Sequence, residues 1–408
     1  MVSTGTRAME RCDALGGGAF SDSPDFLYRP YLGRGHIAAL DQLTTWMHEA
    51  GITTRIDAAG NLVGKYGDGA KSLLIASHID SVRDGGRYDG PLGVMLGIEV
   101  VEALRGRTLP FAIEIYAFGD EEGSRFPSAM LTSRAVAGRL DAADLEVSDR
   151  DGTTLSEALL GIGCQAETFL DARRDPNDFL AYIEAHIEQG PVLEAEKLAL
   201  GTVTAIAAQL RFEVTVRGVA GHAGTNSMAL RKDALTAAAD MILAIERIAR
   251  AGPDDLVSTV GRMTVGPGAP KVVPGHVVFT IDVRAGTEPV RDQAAAGIRQ
   301  AISDIAFGRG IAIEIKQIHD LPASPCDPRL MDLLDQAVIA TGQPARRLVS
   351  GAGHDAMVFA KIVPAVMLFI RCKDGISHNP LESVTAADCE AALAALLSFI
   401  DLLEADHD

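Results

Sequence analysis

An α/β fold with a mostly parallel central sheet flanked by helices, interrupted by an inserted ferredoxin-like α+β domain, is what this sequence predicts. Three observations predict it. Short, largely apolar runs at residues 73–76, 111–118 and 365–370 have the length and polarity of strands buried on both faces. Helical patterns lie between and around those runs, the arrangement of an α/β domain. From about residue 209 to 321 the pattern changes to alternating, half-buried strands in the order β-α-β-β-α-β, the ferredoxin-like arrangement. The chain has 408 residues, more than one typical domain, and 47% of them are hydrophobic, ample for a sizeable core. The expected boundaries are 1–208 and 325–408 for the two parts of the main domain and 209–324 for the insertion.

The composition excludes several roles. A formal charge of −18 opposes binding to nucleic acid or to an anionic membrane, both of which need a concentrated positive surface. Five scattered cysteines, with no Cys-x-x-Cys pair, read as reduced thiols and not as a disulfide framework. No apolar run has signal-peptide or membrane-spanning character. A soluble cytoplasmic protein is expected.

In chain order, residues 36–50 form a helix ended by Gly51, and residues 57–61 form a turn. The strand at 73–76 leads to His78 at its carboxyl end, where open α/β sheets place their ligand sites. Asp89 follows in a glycine-rich loop. Pro91 then opens a helix carrying Val94, Ile98, Val101 and Leu104 on one face. The run at 111–118 leads directly into Asp120, Glu121 and Glu122. Residues 155–177 show no clear pattern. The stretch 179–191 alternates from Tyr182 onward, carries His186, and stops at Gly190-Pro191.

In the insertion, residues 210–216 alternate, residues 231–250 are helical, runs at 257–265 and 277–284 alternate again, and a helix at 289–306 precedes a strand at 311–318. A proline-rich hinge spans 322–328. The main domain resumes with a helix, the strand at 365–370, His378, and a final helix from about 386 to 404.

His78, Asp89, Glu121, Glu122, His186 and His378 therefore form the candidate site, and none lies in the insertion. Five of them would fill two adjacent metal sites that share one carboxylate, and the sixth is free to move a proton. Residue chemistry alone leaves open which of Glu121 and Glu122 is the ligand. It also leaves the metal open among zinc, manganese, cobalt and nickel.

The motifs SHIDSV, GGRYDGPLG, DEEGSRF, HIEQGPVLE, GHAGTNSM, VVPG with DVR, SGAGHDA and GISHNPLE occur in that order over almost the whole chain. In this the sequence resembles the dinuclear metallo-hydrolases that include aminoacylase-like and carboxypeptidase-like enzymes. Within that family it looks most like the allantoate amidohydrolase and N-carbamoyl-L-amino-acid hydrolase branch. The resemblance implies two divalent metals per subunit, bridged by Asp89. His78 and His186 would hold one, Glu122 and His378 the other, with Glu121 as general base. It further implies that Gln189, His222, Arg284 and the loop Gly351, Ala352, Gly353 handle a small anionic ureido substrate. The insertion would serve as lid and homodimer contact, and His222 would act from the neighbouring subunit. Where this family usually has asparagine before VVPG, the chain has Lys271, a residue expected near the substrate carboxylate. No Gly-x-Ser-x-Gly nucleophile elbow is present.

Overall fold

The computed structural model describes residues 4–407. The chain separates into two compact units. One contains the residues up to 204, 326–348 and from 352 onward; the other contains 205–325 and 349–351. Among the described residues no helix is long and apolar enough to cross a membrane.

The sheet of the first unit runs in the order Thr53–Ile56, Leu62–Tyr66, Ala112–Phe118, Ser72–His78, Phe179–Ile187, Ala365–Ile370, Leu200–Ile206. The four strands from Ala112–Phe118 to Ala365–Ile370 pair in parallel. Their neighbours on both sides pair antiparallel, so the sheet is parallel only at its centre. Every residue of Ser72–His78 and Ala112–Phe118 is buried, as parallel strands covered on both faces require. The helix Pro91–Leu104 packs on these strands and meets the helices Gly5–Ala14 and Ala386–His407. Its Glu99, fully buried, accepts hydrogen bonds from Arg7 and Arg11 at 2.7–2.8 Å and ties the first helix of the chain to the core.

The alternation from Tyr182 onward has a different origin from a wet face. Phe179–Ile187 lies between two parallel neighbours and is buried except at Leu180. Its polar members Glu184 and His186 face the protein interior, where each finds partners. The hairpin of Thr53–Ile56 with Leu62–Tyr66 extends the turn expected at 57–61 into a pair of strands. The unpatterned stretch 155–177 holds one short helix, Leu155–Leu160, a two-turn 3₁₀ helix, Ala166–Ala172, and the start of a single 3₁₀ turn, Pro176–Asp178.

The second unit has an antiparallel sheet in the order Met263–Gly266, His276–Ala285, Ala208–Arg217, Ala312–Leu321. Numbered along the chain, that is second, third, first, fourth, the ferredoxin-like order. The helices Ala234–Arg250 and Glu288–Arg309 close one core with Phe212, Val214, Phe279, Ile281, Met241 and Ile298. The first of them begins at Ala234 and not at 231, because the Asp233 carboxylate accepts the N–H groups of Leu235 and Thr236. The run at 257–265 divides at Gly261 into Val257–Thr259 and Met263–Gly266, both paired with His276–Ala285. The segment 322–328 is not bare loop. Ser324–Pro325 pairs antiparallel with Ile206 and Ala205, and Pro328 opens the helix Pro328–Ala340.

Candidate metal centre

Parallel strands deliver their carboxyl ends to one edge of a sheet, and four of them supply this site. His78 ends Ser72–His78; Glu121 and Glu122 follow Ala112–Phe118; His186 is next to last in Phe179–Ile187; His378 follows Ala365–Ile370. Asp89 comes in from the loop before the Pro91 helix. Its Oδ1 lies 3.7 Å from His78 Nε2 and 3.1 Å from His186 Nε2. Its Oδ2 lies 3.3 Å from His378 Nε2, which is also 3.3 Å from Glu122 Oε1. One carboxylate thus serves two donor groups, His78–Asp89–His186 and Asp89–Glu122–His378. With Glu121, Gln189, Met130, Ala352, Gly353 and His354 they line a cavity of about 210 Å³.

The imidazoles are held for this task. His186 Nδ1 is 2.9 Å from the Ile187 carbonyl oxygen, which places the proton on Nδ1 and leaves the Nε2 lone pair facing Asp89. His78 Nδ1 faces Asp80, 3.2 Å from its carbonyl oxygen and 3.5 Å from Oδ1. The same Asp80 carboxylate accepts the N–H groups of Glu121 and Glu122 at 3.1 and 3.3 Å. Asp80 therefore sets two loops at once. Gly90, at φ +86°, leaves room for the His78 ring: a Cβ there would stand 2.5 Å from it. Gln189, His378 and Met130 all hold φ near +57°, a conformation that non-glycine residues keep only where their surroundings impose it.

The electrostatics call for a cation. Asp80, Asp89, Glu121 and Glu122 converge here with little or no exposure, and unpaired buried carboxylates are costly. Asp89 and Glu122 push the His378 imidazole up to about 10. Burial works against the charged form of His78, but Asp80 and Asp89 carry it well above its usual value. Burial likewise opposes Asp89, yet His186, His378 and His78 hold it well below the carboxylate range. Burial pushes Glu121 well above that range, with repulsion from Asp355, Glu122 and Asp80 adding to it and His78 opposing. A divalent cation meets the same demand. Donor atoms about 3.3 Å apart are what tetrahedral coordination at roughly 2.0–2.1 Å requires, and the spacings above bracket that value. His186 Nε2 is buried and faces Asp89 Oδ1 at 3.1 Å, a donor atom open to such an ion once it carries no proton. The residues present fit a metal.

Some expected substrate residues have other partners here. Gln189 Nε2 donates to Asp89 Oδ2 at 2.9 Å and to Ser377 Oγ at 3.1 Å. Ala352 and Gly353 line the cavity, whereas His222, Lys271, Arg284 and Gly351 belong to the second unit. There His222 is exposed, its Nδ1 accepting the Gly224 N–H, and Lys271 is exposed, its carbonyl oxygen accepting the Ala223 N–H. The Arg284 fork is closed on Asp282 by two bonds of 2.9 Å, and its other arm donates to the Gly351 carbonyl oxygen. Sequence reasoning passed over Asp80, Ser377 and His354. Their only signal is adjacency to a recognised residue, in His-x-Asp, Ser-His and Gly-His-Asp.

A family model described as "Peptidase family M20/M25/M40" matches residues 74–402. A probable allantoate deiminase of Oryza sativa subsp. japonica is 38% identical, the match covering 94% of this chain and 86% of that protein. An N-carbamoyl-L-amino acid amidohydrolase of Geobacillus stearothermophilus is 39% identical, covering 88% of each. Among solved structures, an amidase of the hydantoinase/carbamoylase family from Burkholderia multivorans superposes with a TM-score of 0.90 at 34% identity, over 98% of both chains.

Proposed function

Since this chain belongs to peptidase family M20/M25/M40, we propose that it is a metal-dependent amidohydrolase cleaving the ureido C–N bond of a small carboxylate. Allantoate is the first candidate substrate and an N-carbamoyl-L-amino acid the second. The observation that carries this is Asp89, one oxygen toward His78 and His186 and the other toward His378 and Glu122, beside Glu121 in one cavity. The substrate class rests on the relatives, which act on ureido compounds by name.

In this reading His78, Asp89 and His186 hold one divalent ion, and Asp89, Glu122 and His378 a second, zinc or manganese by preference and cobalt or nickel by alternative. When bound, such ions polarise the ureido carbonyl and lower the pKa of water. Glu121 takes the proton from the attacking water and returns it to the departing nitrogen as the C–N bond breaks, releasing ammonia and, from the resulting carbamate, carbon dioxide. Asp80 keeps the Glu121 backbone in register with His78. Gln189, the Ala352–Gly353 turn, Arg284 and Lys271 orient the substrate. The second unit acts as lid and homodimer contact and brings His222 of the partner subunit to the developing oxyanion. Five free cysteines suit a cytoplasmic setting.

Assays of ammonia release and, in parallel, of newly freed α-amino groups on metal-loaded protein, across allantoate, several N-carbamoyl-L-amino acids, N-acyl amino acids and dipeptides, test the proposal. Turnover confined to ureido compounds supports it. Faster cleavage of dipeptides or N-acyl amino acids overturns it, and the ratio of allantoate to N-carbamoyl substrates decides between the two candidates.

A further inference from the structure

Glu382 is 4% exposed and sits four residues after His378, in the loop that also carries Ser377. Its Oε1 accepts the N–H of Tyr88 at 2.8 Å and that of Asp89 at 3.1 Å. Ser377 Oγ donates to Asp89 Oδ2. The loop 377–382 therefore grips Asp89 twice, at its backbone through Glu382 and at its carboxylate through Ser377, and supplies His378 besides. Gly86 closes the arrangement from the other side. A Cβ at that position would stand 2.1 Å from Glu382 Cδ and 2.3 Å from each carboxylate oxygen, so the carboxylate occupies space that only glycine leaves.

We propose that Glu382 is a positioning residue for the metal centre, fixing the Tyr88–Asp89 backbone so that the two Asp89 oxygens divide between the two histidine groups. The inference rests on the reading of Asp89 as a bridging ligand. A buried carboxylate beside another carboxylate is electrostatically unfavourable. Packing alone would be served better by a neutral side chain. Two backbone N–H groups on one oxygen offset that cost and give the acceptor a specific use. The chain joins two ligand-bearing loops nearly three hundred residues apart by this contact. Without it the Asp89 loop would be tied to the His378 loop by side chains alone.

The test is metal binding, read apart from catalysis. Chelated protein would be titrated with zinc and with manganese against a competing metallochromic indicator, for the wild type, Glu382→Ala, Glu382→Gln, Gly86→Ala and the double variant Gly86→Ala with Glu382→Ala. Loss of an outer hydrogen-bond partner of a ligand costs about 10- to 100-fold in metal affinity, the loss expected of Glu382→Ala. Glu382→Gln should stay within a few-fold of wild type, because its amide oxygen still accepts both N–H groups. Gly86→Ala should weaken binding by displacing the Glu382 carboxylate, and should add little once Glu382 is alanine, so the two losses should not sum. Equal affinity for wild type and Glu382→Ala would overturn the proposal while leaving the metal centre intact. So would equal losses for alanine and glutamine, or additive losses in the double variant. If Glu382→Ala does not fold, the comparison of Gly86→Ala with Glu382→Gln decides. A wild type that takes up neither ion would overturn the bridging role of Asp89 and this inference with it.

Discussion

The two units hold their functional candidates in opposite ways. In the first, His78, Asp89, Glu121 and His186 are buried, and each is set by a backbone or carboxylate partner: the Ile187 carbonyl for His186, Asp80 for His78 and Glu121. In the second, His222 and Lys271 are exposed, and Arg284 has its fork closed on Asp282. Burial makes a side chain strong and committed, since its electrostatic interactions are little screened. Exposure leaves one weak alone and dependent on what a substrate or another surface brings. The chemistry of breaking a bond should reside in the first unit and the selection of substrate in the second.

Asp89→Ala should be the severest change, with a rate loss exceeding that of any single ligand and loss of metal uptake, because it removes an oxygen from both donor groups and leaves the imidazoles facing one another. Activity measured together with metal content checks this; a variant that keeps both places the bond-breaking site elsewhere. Glu121→Gln should retain the metal and lose about a hundredfold to ten-thousandfold in kcat, since an amide keeps the shape but takes no proton. A kcat within a few-fold of wild type would remove Glu121 as the base.

The same contrast extends to acid stability. His36 is fully buried in the first unit against Tyr31, with neither ring nitrogen hydrogen-bonded among the described residues, and burial lowers its pKa from 6.5 to about 4. The unfolded chain therefore binds this proton first. The stability that His36 confers by staying neutral is complete above about pH 6.5 and is lost as pH falls from 6.5 toward 4, to the extent of about 3 kcal/mol. Trp46, the one tryptophan of the chain, lies in the first unit and its fluorescence reports that unit in urea titrations across this window. His36→Phe should flatten the pH slope, and an unchanged slope would assign acid sensitivity to other groups.

The smallest expected effect concerns substrate selection. Lys271→Asn should raise KM for carboxylate-bearing ureido substrates by roughly two- to fivefold, with little change in kcat and with a difference that shrinks as salt rises. Steady-state kinetics at two ionic strengths, with a neutral amide analogue as control, measure it. Equal changes for charged and neutral substrates would make Lys271 a surface residue only and remove one half of the comparison.

Much of this was legible in the sequence because burial on both faces leaves a plain mark. The largely apolar runs at 73–76, 111–118 and 365–370 became central parallel strands, and residues just past their ends gathered in one cavity. The alternating runs of the insertion became its antiparallel sheet. Phe179–Ile187 shows the limit. Glu184 and His186 gave it the pattern of a wet face, yet both face the interior, because polar groups satisfied by one another can be buried as well as apolar ones. Composition, local pattern and the order of motifs determined by themselves the fold class, the acidic character and the set of metal-ligand types. Only tertiary structure decided that Asp80 holds the Glu121–Glu122 loop, that Ser377 donates to Asp89, and that Glu382 reaches back to the Asp89 backbone. These are contacts between residues tens to hundreds of positions apart, and local periodicity carries no information about them.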